Sequence, residues 1–158
     1  MLRHEVTTVD HRATDVATAI VDVQRAAYQV EAELIGYDRI PGLVETAADV
    51  AALDLTILGV HDDGRLVGLV GYTRGDDVVE IERLAVAPAQ FRRGVGRALV
   101  AAVHEREVDA TRFEVSTGAA NTPGVGLYTA LGYRRVDTRV LDGCPVVFLV
   151  RAPGSGGR

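Results

Sequence analysis

Two glycines and three arginines fall within six residues, Arg92-Arg-Gly-Val-Gly-Arg97, and no other stretch of the chain concentrates chemistry so densely. Immediately downstream, Val95, Ala98, Leu99, Ala102 and Val103 recur at spacings of three and four, which predicts an amphipathic helix beginning at this loop. A helix start carries four unpaired N–H groups and about half a unit of positive charge. Glycine lets an anion approach that backbone, and arginine adds fixed charge beside it. This combination is suited to holding phosphate. All 17 basic residues are arginine, so a Walker loop with its lysine is excluded. The third glycine of a dinucleotide fingerprint is replaced by Leu99, which excludes that reading too. Just upstream, Glu80 and Glu82 would share one face of a regular strand. Elsewhere, His4, His11, His61 and His104 lack metal-ligand spacing, Cys144 precedes Pro145 with no positioned histidine, and no Gly-x-Ser-x-Gly occurs.

The elements that must position these residues are legible from hydrophobic pattern and turn chemistry. A first strand is predicted over residues 2–9. Thr14 stands as an N-cap for a helix with Val16, Ile20, Val23 and Ala27 on one face, running to about residue 28 and continuing, kinked, to a stop at Gly36. Residues 36–42 read as a loop and 43–53 as a second helical segment. Asp63-Gly64 predicts a hairpin between strands over 55–61 and 65–73. A strand over 78–86 ends at Pro88, which has no N–H for a ladder. A strand over 112–117, a short helix over 123–131 capped by Asn121 or Thr122, and a hairpin across Asp142-Gly143 complete the order. The expected fold is a three-layer α+β domain (αβα): a mixed, mostly antiparallel sheet of six to seven strands with helices on both faces. Its parallel pair is expected on either side of the central helix. Residues 1–151 are expected to form one domain and 152–158 a flexible tail.

The 158 residues include 47% hydrophobic and 25% charged side chains, an ordinary globular balance. No apolar run approaches a membrane span, and the first residues lack the apolar core of a signal peptide, so a cytoplasmic protein with no membrane partner is expected. A single cysteine excludes an internal disulfide, and the lack of lysine beside abundant alanine, valine, glycine and arginine suggests a bacterial source. The net charge of −5 is unevenly divided. Residues 1–91 carry 16 acidic and 7 basic side chains, and residues 92–158 carry 6 and 10. The basic half suits a phosphorylated cofactor, the acidic half suits a cationic amine, and the overall acidity argues against nucleic acid.

Leu84-Ala-Val-Ala-Pro, followed by Arg-Arg-Gly-Val-Gly-Arg-Ala-Leu, resembles the acetyl-coenzyme A loop of the GNAT N-acetyltransferase superfamily. Asn121-Thr-Pro-Gly-Val-Gly-Leu-Tyr-Thr-Ala-Leu-Gly-Tyr133 resembles that family's second motif, with Gly124 replacing an alanine. The two motifs stand in the family's order and spacing and cover roughly residues 55–150. One departure is Phe91, where the family carries Gln or Arg. The family's grip on pyrophosphate is mostly backbone N–H, which leaves the loop competent.

The resemblance implies transfer of an acetyl group from acetyl-CoA to a small or protein amine by direct attack in a ternary complex, with no metal. The alternative is a CoA-binding sensor or assembly module that has lost transfer; a homodimer is compatible with either. The resemblance further implies a bulge that splays the strand over 78–86 from its parallel neighbour. It implies cofactor contacts from Leu84, Ala85 and Val86, from Phe91 through Arg97 (Arg92, Arg93, Gly94, Val95 and Gly96 between them), and from Asn121 and Tyr128. Tyr128 matches the family's acid toward the departing sulfur, and Glu80, four residues before Leu84, matches its base. Glu82 stays open as the alternative base, since a bulge removes the parity argument. The helix–loop–helix region implies acceptor contacts from Tyr28, Glu31, Tyr37 and Asp38.

Overall fold

Turns that demand positive φ divide the β-branched runs into a sheet. Asp63 and Gly64 take φ of 53° and 79°, closing the hairpin of β2 (Thr56–Asp62) and β3 (Arg65–Gly75). Asp76, at φ 54°, turns the chain into β4 (Val78–Val86). β5 (Arg112–Gly118) follows the central helix, and β6 (Arg134–Leu141) and β7 (Cys144–Arg151) form the last hairpin across Asp142-Gly143. With β1 (Val6–Thr8), the computed structural model, which describes residues 4–152, contains one seven-stranded sheet in the order β1-β2-β3-β4-β5-β7-β6. β4 and β5 are its parallel pair and every other neighbour is antiparallel, as the sequence predicts.

Four helices cover the two faces. α1 (Thr14–Ile35) and α2 (Ala47–Ala51) bury Ile20, Val23, Ala27, Tyr28 and Val50 against Ile57, Leu69 and Ala85. α3 (Val95–Arg106) and α4 (Thr122–Ala130) bury Val95, Leu99, Val103 and Tyr128 against Leu58, Val70, Val79 and Ile81.

Several boundaries differ from the sequence prediction for local reasons. α1 begins one residue before the expected start: Ala13 is its N-cap, because Asp10 already turns the chain by accepting from the Arg12 and Ala13 N–H groups. α1 is continuous to Ile35, and Gly36 ends it in the left-handed conformation, φ 68°. The segment predicted as a helix over 43–53 is instead a 3-10 turn, Pro41–Leu43, and then α2. Thr46 and Asp49 form a reciprocal capping box that can only start a helix at residue 47. The strand predicted over 2–9 is β1 alone; residues 2 and 3, like 153–158 of the predicted tail, lie outside the described residues.

Two features of β4 matter most. Its pairing with β5 runs from Val78↔Arg112 to Ile81↔Val115 and stops there, so the two parallel strands part. On its other side, Tyr72 opposes Ile81 while the preceding Gly71 opposes Arg83. Glu82 is therefore the extra residue of a β-bulge, opposite no residue of either neighbouring strand. The bulge shifts the side-chain alternation by one. Val79 and Ile81 face α3 before it, and Leu84 and Val86 do so after it. Arg83 consequently turns to the α1 face, where it pairs with Glu45 at 2.7 Å and donates to Gln24 at 2.9 Å. This partly buried ion pair ties the segment between α1 and α2 to the splayed strand.

Candidate active site

The parted strands open a cleft of about 160 Å3 lined by Glu82 and Leu84 of β4, Ser116 and Thr117 of β5, Tyr28 and Glu31 of α1, and Tyr128 of α4. A longer groove of about 630 Å3 lies between α1 and the start of α3. Val30 and Leu34 form one wall of it, Phe91, Arg92, Gly94 and Gly96 the other, and Asn121 and Leu127 its far end. Tyr28, Glu31, Leu84, Asn121 and Gly124 line both spaces, so groove and cleft meet at these five residues. A third depression, of about 670 Å3, lies between α1 and the β2–β3 turn. It touches neither the glycine loop nor the tyrosines, and its size alone does not make it the site.

The loop residues are set for an anion. Gly94 is the N-cap of α3 at φ 80°, ψ 10°. Arg92 holds φ 64°, a left-handed conformation that a residue with a Cβ adopts at a cost of roughly 1–2 kcal/mol. Strain of this kind concentrates where a backbone must present its donors. Among the described residues no acceptor takes the N–H of Arg92, Arg93 or Gly94, and no carboxylate pairs with Arg92, Arg93 or Arg97. Arg92 lines the groove; Arg93 and Arg97 flank it without lining it. Ala85, predicted with Leu84 and Val86 as a contact, is buried on the α1 face by the bulge.

Asn121 accomplishes two tasks. Its Oδ1 accepts from the Gly124 N–H at 3.2 Å, starting α4, and its Nδ2 donates to Thr117 Oγ1 at 3.0 Å, tying that helix to β5. A Cβ on Gly124 would lie 2.5 Å from Asn121 Nδ2, so a larger residue here would displace the Asn121 amide.

Tyr128 is 4% exposed and packs edge-on against Tyr133 with ring centroids 5.3 Å apart. Burial, and then Tyr133, Tyr28 and Glu31, hold its phenol well above the usual range, so it keeps its proton. Tyr28 is likewise pushed up by burial. Neither hydroxyl has a hydrogen-bond partner among the described residues, and neither is sealed from the cleft, since Arg83 Nε is the one sealed side-chain polar atom lacking a partner there. Burial raises the Glu31 carboxyl at the junction. Glu80 lies outside the cleft lining, opposite Glu114; partial burial and the neighbouring Glu82 and Glu114 carboxylates raise it. Tyr37 and Asp38 line neither space. The Tyr37 hydroxyl instead donates to Asp142 at 2.8 Å, and Arg39 joins the same carboxylate, clasping the loop after α1 to the β6–β7 turn.

Sequence reasoning missed the support behind Tyr128. His104 Nε2 lies 2.7 Å from the Tyr133 hydroxyl, and the ring stands edge-on to Phe113. The signal available was its helical phase with Val100 and Val103, which places it toward the sheet. Burial, aided by Arg151, lowers the His104 pKa to about 4. A group whose folded pKa lies below its unfolded value near 6.5 leaves the native state binding fewer protons. Stability should therefore be complete above pH 6.5 and fall as pH drops from 6.5 toward 4, by on the order of 2 kcal/mol because the ring is only partly shielded. Urea unfolding at pH 7.5 and pH 4.5 checks this; His104→Gln should flatten that part of the profile, and an unchanged slope would contradict it.

Residues 18–133 match the model of the acetyltransferase (GNAT) family. The chain belongs to the GNAT family. Among curated proteins, UPF0157 protein YqkA of Bacillus subtilis (strain 168) is 38% identical over 130 residues, which are 82% of this chain. The chain spans only 38% of the length of that relative. Two solved N-acetyltransferase structures share the fold. The ribosomal-protein-S18-alanine N-acetyltransferase of Escherichia coli superposes with a TM-score of 0.76 at 16% identity, over 99% of this chain and 97% of that one. The PaiA N-acetyltransferase of Thermoplasma acidophilum, solved in complex with coenzyme A, gives 0.78 at 15% identity, over 96% and 99%. Membership in the GNAT family supports acyl transfer as the class of chemistry. Among the described residues no group of three His, Cys, Asp or Glu is placed to hold a metal, and no helix is long and apolar enough to cross a membrane.

Proposed function

We propose that this GNAT protein transfers an acetyl group from acetyl-CoA to an amine by direct attack within a ternary complex. The observation that carries the reading is the junction: a groove ending at a glycine-arginine loop with unpaired N–H groups meets a cleft lined by two carboxylates and two tyrosines whose hydroxyls have no partner among the described residues. Bound acetyl-CoA supplies the thioester carbonyl that the amine attacks. The N–H groups from Arg92 to Arg97 would hold its pyrophosphate, with the guanidinium groups of Arg92, Arg93 and Arg97 adding charge. The freed backbone of Leu84 to Val86 would bind its pantetheine arm and offer a donor to the acetyl oxygen.

Glu82 accepts the proton of the incoming ammonium, directly or through water, because it is the strand carboxylate that lines the cleft. Glu80, one pleat earlier, is the second candidate. The Tyr128 hydroxyl donates a hydrogen bond to the departing sulfur. Burial makes full proton transfer from so weak an acid to the departing thiolate, whose conjugate thiol has a pKa of about 8.5, unfavourable. Glu31 and Glu82 give the cleft a negative lining, while the charge of Arg83 is already met by Glu45, which supports a cationic amine acceptor.

The test is release of free CoA thiol from acetyl-CoA across a panel of amines that includes diamines, aminoglycosides, amino acids and peptide N-termini. Turnover with basic amines is expected. Acceptors found only among anionic compounds without a basic nitrogen would overturn the acceptor class. Tight CoA binding with no turnover would instead indicate a binding module.

A further inference from the structure

His4 stands beside the glycine-arginine loop although 89 residues separate it from Arg93 in sequence. Its Nε2 lies 2.6 Å from the Arg93 carbonyl oxygen. A carbonyl can only accept, so this ring nitrogen carries a proton and donates. The Arg93 C=O and the Gly94 N–H belong to one planar peptide and point in opposite directions. His4 does not line the groove, whereas Arg92 and Gly94 do and Arg93 does not. Holding the carbonyl toward His4 therefore turns the Gly94 N–H away from His4, and Gly94 itself lines the groove.

The constraint is needed because of the residue it acts on. Gly94 has no Cβ, and at φ 80° the nearest atom to where one would sit is His4 Nε2 itself, 4.0 Å away. A glycine in such open surroundings can turn its preceding peptide over at little steric cost. A flipped peptide would present a carbonyl oxygen, with partial negative charge, where the anion must lie.

We propose that His4 is a positioning residue for the cofactor loop: by donating to the Arg93 carbonyl it holds the Arg93–Gly94 peptide in the orientation that binds phosphate. This rests on the acetyl-CoA reading of the groove. The segment leading into β1 is thereby part of the cofactor site, through backbone orientation and without touching the ligand.

Calorimetric titration of CoA into the full chain tests it. His4→Ala should weaken CoA binding about three- to ten-fold, the scale of one net hydrogen bond, and raise the KM for acetyl-CoA in step while kcat stays within about twofold. His4→Gln, which returns an N–H donor at similar reach, should restore affinity to within about twofold of wild type. Wild-type affinity in folded His4→Ala, with CoA binding intact, would overturn the positioning role alone. His4→Gln as weak as His4→Ala would do the same, since the donor would then not be what matters. Absence of CoA binding in the wild type would remove the cofactor reading and this inference with it.

Discussion

Glu82→Gln should lower kcat/KM near neutral pH by about 10²-fold or more, the scale on which general base catalysis operates. An alkyl ammonium of pKa about 10 is roughly three units from deprotonation at pH 7, so about 4 kcal/mol of barrier lies in that one proton. Raising the pH toward the amine's own pKa makes the base redundant, and most of the loss should then be recovered. Tyr128→Phe should behave differently: kcat falls, CoA affinity is nearly unchanged, and alkali brings no recovery because it supplies no donor for the sulfur. The decisive measurement is the set of pH–rate profiles for wild type, Glu80→Gln, Glu82→Gln and Tyr128→Phe. A Glu82→Gln profile parallel to wild type, with the alkaline recovery in Glu80→Gln, would assign the base to Glu80.

Gly94→Val should weaken acetyl-CoA binding by roughly tenfold to 10²-fold while leaving the protein folded. Nothing but His4 Nε2 comes within 4 Å of a Cβ at this position, so the substitution does not collide with the core. Its effect enters through the backbone. A β-branched residue at φ 80° costs roughly 1–2 kcal/mol and will relax away from the left-handed region when no ligand is bound. Binding must then restore that conformation or forgo the Gly94 donor, a charge-assisted bond contributing about 1.5–3 kcal/mol. Either route costs about 1–3 kcal/mol, roughly tenfold to 10²-fold in affinity. Calorimetry on a variant whose thermal unfolding remains cooperative is the measurement, and unchanged affinity would remove the loop from the cofactor site.

The sequence by itself determined most of the elements and the glycine-arginine loop. The period of Val95, Leu99 and Val103, the Asp-Gly turns and the two glycine motifs are local signals, each set by backbone conformations that only a few residue types adopt. Arg92, Gly94, Gly96 and Asn121 were therefore legible before any fold was known, and all four line the groove. The helix predicted over 43–53 misled because its apolar spacing outweighed the capping box at Thr46 and Asp49. The acceptor side was not local. Tyr37 and Asp38 looked equivalent to Tyr28 and Glu31, yet a long-range partner, Asp142, draws Tyr37 to the β6–β7 turn, while the burial of α1 aims the other pair inward. Nor could strand parity choose between Glu80 and Glu82. Which of the two lines the cleft follows from a register shift of one residue between β3 and β4, which exists only where two strands meet. By slipping the alternation at Glu82 it turns that carboxylate into the cleft and sends Arg83 to Glu45.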